Sequence, residues 1–279
     1  MYTLLRNSRR KFTQGLLFWR EAGEGTPIIF LHSAWNDSSQ WISIVELLSD
    51  KFHCFAPDLL GFGESENPNV NYSVDLEVEC IAEFIQALRL EKVYLIGYSL
   101  GAWIAASYAL KYPDQVYGLV LLAPEGVAVG GKKRSYHKMR KLLKSRTILL
   151  KIFQFSRRFN KFPVWEKQVN KYFSWHQIQR MFECPAACQI FFERRDSEIE
   201  AELLDKRLHL IKAPVLILQG GLDLLDAVVK SQTYNTLLPQ VELKIIPQAG
   251  NELPASCPEI LVSYIENFIE TNSSNSNFL

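Results

Sequence analysis

Short apolar runs alternate with longer amphipathic stretches over residues 1–125 and again from residue 213. The runs are rich in β-branched and aromatic residues, which is typical of buried strands, and the stretches between them have helical spacing. Strands joined by crossover helices predict an α/β protein with a mostly parallel central sheet flanked by helices. The predicted strands are 27–31, 52–57, 93–97, 116–123, 214–218 and 241–246; the predicted helices are 37–48, 73–88, 100–112, 226–238 and 258–269, with Ser73 as an N-cap.

Residues 126–212 interrupt this alternation. They contain 20 Lys and Arg against 8 Asp and Glu, a net charge of +12, although the whole chain of 279 residues has a formal net charge of only +1. Their pattern is basic, aromatic and helical in period, without strand alternation. We therefore predict one core built from residues 1–125 and 213–270, a helical cap inserted at 126–212, and a disordered polar tail at 271–279.

The positive charge of the insertion is densest between Lys132 and Lys171, where aromatic residues are interleaved with it. Such a segment fits contact with an anionic membrane or an acidic partner, and a solvated helical surface is the alternative interpretation. No nucleic-acid partner is expected. Apolar stretches are too short to span a membrane, and five scattered cysteines fit reduced thiols better than a disulfide framework, so we expect a cytoplasmic protein, peripheral to a membrane if the basic segment binds lipid.

The chemically most informative motif is Gly97-Tyr98-Ser99-Leu100-Gly101, which joins a predicted strand to a predicted helix. Glycines on both sides of the serine allow a sharp turn that has no room for side chains. This arrangement is a nucleophile elbow, which holds a serine hydroxyl at the carboxyl edge of a sheet and at the N-terminus of a helix. In that position the free helix N–H groups can stabilise an oxyanion.

From these residues the chain resembles the α/β-hydrolase superfamily with a helical cap. The resemblance implies that Ser99 is the nucleophile, that the loop from His32 to Trp35 forms an oxyanion hole from the N–H groups of Ala34 and Leu100, and that Ser33 replaces a usual glycine. It also implies a structural turn at 58–65. Asp223, after the strand 214–218, takes the position of the family's acid, with Asp226 as the fallback candidate.

The family's base is a histidine in a Gly-His motif after the last strand. Here the stretch reads Ala249-Gly250-Asn251, and Asn251 stands where the histidine should be. An amide nitrogen is not basic near neutral pH, so Asn251 cannot accept the serine proton. Asn251 could donate a hydrogen bond to Asp223 and leave a gap in front of Ser99. The sequence therefore predicts a degenerate triad and inefficient hydrolysis.

Other histidines could replace the missing base. His32 belongs to the oxyanion loop and His53 precedes a strand, and we interpret both as structural. A histidine of the insertion could reach Ser99, and the candidates are His137, His176 and His209. Neither a cofactor nor a metal is expected, because Asp223 and Asp226 have no His or Cys ligands near them in the sequence.

Two functions follow from the sequence. The first is a serine-hydrolase-type enzyme that acts on an ester, thioester or lipid-like acyl substrate with slow or unconventional proton transfer. The second is a non-catalytic descendant that binds a small apolar ligand or a partner in the cap pocket. The retained elbow supports the first function and Asn251 supports the second.

Overall fold

A computed structural model describes residues 5–128 and 184–276 of the chain. Their centre is an eight-stranded sheet with the order β1-β2-β4-β3-β5-β6-β7-β8. The strands are β1 (Arg6–Lys11), β2 (Leu16–Ala22), β3 (Thr26–Leu31), β4 (Phe52–Pro57), β5 (Val93–Tyr98), β6 (Val116–Leu122), β7 (Val215–Gly220) and β8 (Val241–Ile246).

The pairing of the strands confirms the predicted α/β class. The five neighbouring pairs in the order β4-β3-β5-β6-β7-β8 are parallel. The two pairs at the other edge, β1 with β2 and β2 with β4, are antiparallel. Each of the six predicted strands is present. Strands β1 and β2 were not predicted. β1 reads Arg-Asn-Ser-Arg-Arg-Lys and is an exposed edge strand without an apolar face, whereas β2 is largely buried.

Helices cover both faces of the sheet. Their bounds are α1 (Ile42–Leu48), α2 (Val74–Ala87), α3 (Leu100–Lys111), α4 (Pro185–Cys188), α5 (Asp196–Glu202), α6 (Leu225–Leu237), α7 (Leu253–Ser256) and α8 (Pro258–Ser276). The predicted N-cap is confirmed, because the Ser73 side chain accepts a hydrogen bond from Leu76 N. The predicted helix over 37–48 begins as a 3₁₀ turn, Ser38–Trp41, with Asp37 as its cap.

The last helix is longer than its sequence predicts. The expected end was residue 269 and disorder was expected from residue 271, but α8 continues to Ser276. Two contacts hold the added turns. Asn272 Nδ2 donates to Phe268 O at 2.7 Å, and the hydroxyls of Tyr94 and Ser273 lie 3.4 Å apart. The prediction of disorder is thus corrected for residues 271–276.

Of the insertion predicted at 126–212, residues 129–183 lie outside the described residues. The described remainder contains α4 and α5 and packs on the core, and the prediction of a helical cap over the whole insertion stays a prediction. Gln189 Oε1 accepts a hydrogen bond from Tyr72 N at 3.0 Å, and the Trp103 indole donates to Glu202 O at 3.2 Å. Within 5–128 and 184–276, no helix has the length and apolar character needed to cross a membrane.

Glu77 is a fully buried carboxyl group on α2, below the turn at 58–65. Its Oε2 accepts a hydrogen bond from Leu60 N at 3.1 Å, and its Oε1 has no hydrogen-bond partner. Burial raises the pKa of Glu77 from 4.5 to about 8. The carboxyl group is therefore protonated in the folded protein at neutral pH, although it would be ionised in the unfolded chain.

This difference makes stability depend on pH. Below pH 4.5 the carboxyl group of Glu77 is protonated in both the folded and the unfolded chain, so its contribution to the free energy of unfolding is fully present. This contribution is lost as the pH rises through about 8, because the unfolded chain is ionised while the folded chain must hold the proton. We expect Glu77→Gln to gain stability relative to the wild type between pH 5 and pH 8, by about 1–3 kcal/mol. Urea denaturation at the two pH values measures the gain. Gln86→Asn, which exchanges one neutral side chain for another at an exposed position of the same helix, should show no such trend. A gain from Glu77→Gln that is independent of pH would contradict this account.

Candidate active site

Ser99 occupies a tight turn between β5 and α3, with backbone angles of φ 54° and ψ −105°. An L-residue in this region is strained, by roughly 1–3 kcal/mol, and such a residue persists only when its surroundings hold it. The strand, the helix and the neighbouring loop do so here. Ser99 N donates to Leu122 O at 2.9 Å, and Ser99 O accepts from Trp103 N at 3.1 Å and from Glu125 N at 3.2 Å. Ser99 is partly exposed.

The glycines of the motif are required by close backbone contacts. A Cβ at Gly97 would lie 2.3 Å from Gly101 O, and a Cβ at Gly101 would lie 2.1 Å from Leu31 O. No real Cβ atom approaches a carbonyl oxygen this closely. The absence of these side chains lets the start of α3 pack directly against the end of β3. This contact brings the loop after β3 next to the serine.

Two N–H groups on the segments that meet at the Ser99 turn have no acceptor in the described part of the chain. They belong to Leu100, the first residue of α3, and to Ala34, in the loop after β3. Both residues are buried, and an N–H group shielded from water without an acceptor is costly. Two such groups near a hydroxyl can bind an oxygen that becomes negative during a reaction.

The loop after β3 is fixed by His32. Its ring is fully buried, with Nδ1 2.8 Å from Ser33 O and Nε2 accepting from Leu59 N at 3.0 Å. These partners place the proton on Nδ1, and burial lowers the pKa of His32. Ser33, at the position of the family's glycine, does not need a positive φ here. The structural interpretation of His32 is confirmed.

The turn at 58–65 also has the structural role that was expected. Buried Asp58 accepts hydrogen bonds from Ser38 N and Glu64 N, both at 2.7 Å. Ser65 Oγ donates to Asp58 O at 2.7 Å. Gly63, with a φ of 51°, has no room for a side chain, because a Cβ there would lie 2.1 Å from Asp58 Oδ2.

Asp223 follows β7 and is half-buried. Its Oδ1 accepts from Leu224 N at 2.7 Å, and its Oδ2 accepts from Gln219 Nε2 at 3.1 Å. Asp226 is exposed in the first turn of α6, and within the described residues its side chain makes no hydrogen bond or ion pair. The described contacts therefore hold the carboxylate of Asp223 in place, whereas the carboxylate of Asp226 lies in solvent.

Asn251 lies on the loop after β8, which packs against the loop that carries Asp223. Leu222 N donates to Ala249 O at 3.0 Å, and a Cβ at Gly220 would lie 2.5 Å from Gly250 O. The backbone oxygen of Asn251 accepts from the hydroxyl of Tyr98, the residue before Ser99. The loop is thus tied to both other parts of the site. The side chain of Asn251 is exposed, and within the described residues it makes no hydrogen bond to Asp223.

No histidine ring is hydrogen-bonded to Ser99 within 5–128 and 184–276. His32 is held as described above, His53 Nε2 lies 2.9 Å from Glu21 Oε1, and His209 is exposed on a 3₁₀ turn. The structural interpretation of His53 is therefore confirmed. His137 and His176 lie outside the described residues, as does the basic and aromatic stretch from Lys132 to Lys171, so their predicted roles stay predictions.

Aromatic rings form an apolar wall near Ser99. Trp35 follows Ala34 in the sequence, and Trp103 lies one helical turn after Ser99 on α3. Phe191, from the described part of the insertion, is 6.4 Å from Trp35 and 6.1 Å from Trp103 between ring centroids. Trp103 and Phe191 are buried and Trp35 is partly exposed, so Trp35 carries the ring surface of this cluster that an apolar ligand could contact.

Sequence reasoning missed four residues that support the site. Tyr98 holds the loop of Asn251, Gln219 contacts Asp223, and Glu125 and Lys230 form an ion pair at 2.5 Å beside the Ser99 turn. The sequence of α6 contained a signal for Lys230. Helix α6 has almost no apolar periodicity, so its buried residues had to include polar ones.

Comparison with known proteins identifies the family. A family model described as "alpha/beta hydrolase fold" matches residues 26–254. The 1-acylglycerol-3-phosphate O-acyltransferase ABHD5 of Mus musculus is 39% identical over 126 residues, which cover 43% of this chain and 35% of that protein. The 2-hydroxymuconate semialdehyde hydrolase of a Pseudomonas strain is 33% identical over 139 residues, which cover 44% of this chain and 48% of that protein.

These alignments span less than half of either relative. Among solved structures, a bacterial membrane phospholipase A matches with a TM-score of 0.70 and 22% identity, over 96% of this chain and 87% of that chain. The likeness to that structure shows the fold. Together with the family match over most of the chain, it establishes that this protein belongs to the alpha/beta hydrolase fold family.

Proposed function

We propose that this protein is a serine-hydrolase-type enzyme for an ester, thioester or lipid-like acyl substrate, with Ser99 as nucleophile, Asp223 as the acid and Asn251 in the position of the base. The observation that carries the proposal is the partly exposed Ser99 on a strained turn, where two segments meet whose N–H groups, at Ala34 and Leu100, have no acceptor within the described residues. An acyl carbonyl that approached this hydroxyl could place its oxygen on the N–H groups of Ala34 and Leu100.

The missing imidazole limits the rate. Attack by Ser99 releases a proton, and Asn251 has no basic nitrogen to accept it. Water or the leaving group must then take the proton, so the wild-type protein should acylate slowly. In a protease with the same triad logic, losing the histidine alone costs about 10⁶ in turnover, and about 10³ over water remains from the oxyanion hole and binding.

The aromatic wall supports an apolar acyl group. Trp35, which is partly exposed, offers ring surface next to the buried rings of Trp103 and Phe191, and none of the three carries a charge. Two similar proteins, an acyltransferase and a membrane phospholipase A, are enzymes of acyl chemistry, which agrees with this substrate class.

The alternative is a non-catalytic protein that binds an apolar ligand. The exposed side chain of Asn251 supports it, because within the described residues this side chain has no hydrogen bond to the acid that it would accompany. The aromatic wall would serve either function. The two proposals differ in whether Ser99 reacts.

A fluorophosphonate probe distinguishes them. It phosphonylates an activated serine and mimics the tetrahedral state that an oxyanion hole binds. We expect the wild-type protein to be labelled at Ser99. Ser99→Ala should reduce the label about tenfold, and the label that remains should come from background reaction at other residues. Ser256→Ala, at a serine on α7 outside the site, is the matched control and should keep the label. No labelling of the wild type would favour the binding protein.

A further inference from the structure

Helix α6 turns polar residues toward the core. Its buried side chains are Lys230, Ser231 and Tyr234, and each donates a hydrogen bond to a neighbouring segment. Lys230 Nζ donates to Glu125 Oε1 at 2.5 Å, Tyr234 to Glu125 O at 2.6 Å, and Ser231 Oγ to Gln219 Oε1 at 2.6 Å. We call these three residues the polar face of α6.

Ser231 fixes the direction of the Gln219 side chain. Gln219 is fully buried, and its Nε2 faces only acceptors, namely Gly220 O at 3.0 Å and Asp223 Oδ2 at 3.1 Å. The amide oxygen must then face Ser231, which donates to it. The amide cannot flip without placing its oxygen against two other oxygens. A continuous path of hydrogen bonds thus runs from α6 to the carboxylate of Asp223.

The polar face of α6 is also linked to the backbone of Ser99, through Glu125. Glu125, which takes hydrogen bonds from Lys230 and Tyr234, donates its own N–H to Ser99 O at 3.2 Å. One helix therefore supports both the turn of Ser99 and the loop of Asp223. An apolar face would fill this space without the cost of burying polar groups. Hydrogen bonds, unlike apolar contacts, also fix the orientation of the side chains that they join.

We propose that Gln219 is a positioning residue for Asp223, that Ser231 fixes its amide, and that the polar face of α6 sets the Asp223 carboxylate relative to Ser99. This inference deepens the proposed function and rests on it for the catalytic role of Asp223. Gln219 acts through the carboxylate and does not touch the substrate.

The test removes both ends of the path together. Gln219→Met with Ser231→Ala keeps the volume nearly unchanged and leaves no orphaned partner between the two residues, so the fold should persist. The crystal structure of this double variant should show the Asp223 carboxylate turned away from its wild-type orientation. Gln232→Met, at an exposed glutamine on the same helix, is the matched control and should leave the carboxylate in place.

Kinetics give the second readout, in proteins that also carry Asn251→His. There we expect the double variant to lower kcat about 100-fold, with KM changed less than about twofold, because misplacing a catalytic group slows the reaction without weakening binding. Adding Asp223→Asn should lower kcat no further than Asp223→Asn alone, since both changes remove the same contribution. A purely structural role would lower stability and give additive losses.

The outcomes separate the two claims. An unmoved carboxylate, unchanged kcat or additive losses would each overturn the positioning role. If Asn251→His shows no turnover in any protein, the proposed function fails, and the orientation of Asp223 in the two crystal structures still decides whether Gln219 positions it. Should the double variant not fold, Ser231→Ala alone, which leaves the amide oxygen of Gln219 without its donor, must show a smaller change of the same kind.

Discussion

Asn251→His is expected to raise the turnover of a short p-nitrophenyl ester by at least about 100-fold, with a ceiling of about 10⁶ set by what loss of the histidine costs in a complete triad. The imidazole would supply the base that the wild-type site lacks. The exposed side chain of Asn251 leaves room for the larger ring. Its backbone is already tied to Tyr98 and its loop to that of Asp223, so the new side chain starts from a fixed position.

Steady-state kinetics measure the gain. Asn251→Gln is the matched control, since it adds length without a basic nitrogen, and should gain nothing. Asn251→His combined with Ser99→Ala should be inactive. If Asn251→His turns over no faster than the wild type, then the site differs from a working triad at more than this residue.

Gly101→Ala is expected to prevent stable folding or to cost more than about 3 kcal/mol of unfolding free energy. Exchanging glycine for alanine inside a helix ordinarily stabilises it by about 0.5–1 kcal/mol. Here the new Cβ would lie 2.1 Å from Leu31 O and 2.8 Å from His32 O, both of which belong to the backbone and cannot turn away. Helix and sheet would have to separate at the site.

Thermal and urea denaturation measure this loss. Gly250→Ala is the matched control, because a Cβ at Gly250 would meet no atom within 4 Å and the loop beside Asn251 has room for it. Its stability should match that of the wild type within about 0.5 kcal/mol. Equal stability of Gly101→Ala and the wild type would show that the packing of α3 against β3 is looser than described.

The sequence predicted the parallel half of the sheet because its strands are buried on both faces and read as continuous apolar runs, as in Val93–Tyr98. It failed at β1, where four of the six side chains are charged and none is apolar. That strand is held by its pairing with β2 and by ion pairs such as Arg6 with Glu21, which no local pattern reveals. The end of α8 was missed for a similar reason, since distant Tyr94 contacts Ser273.

The candidate site was predictable where chemistry depends on neighbours in the chain. The Gly97 to Gly101 motif specifies its own turn, and Asp223 and Asn251 follow strands that end at the same edge of the sheet. Gln219 and Ser231 could not be found in this way. Their meaning depends on a tertiary contact between β7 and α6, and a glutamine inside a strand carries no signal of what it touches.

The pH dependence of Ser99 phosphonylation in the wild-type protein tests most directly whether the hydroxyl works without an imidazole. The rate constant should rise smoothly with hydroxide concentration from pH 5 to pH 9, with no inflection near the ordinary histidine pKa of about 6.5. A sigmoidal profile centred between pH 6 and pH 8 would contradict the account, because it would reveal a histidine elsewhere in the chain acting as the base.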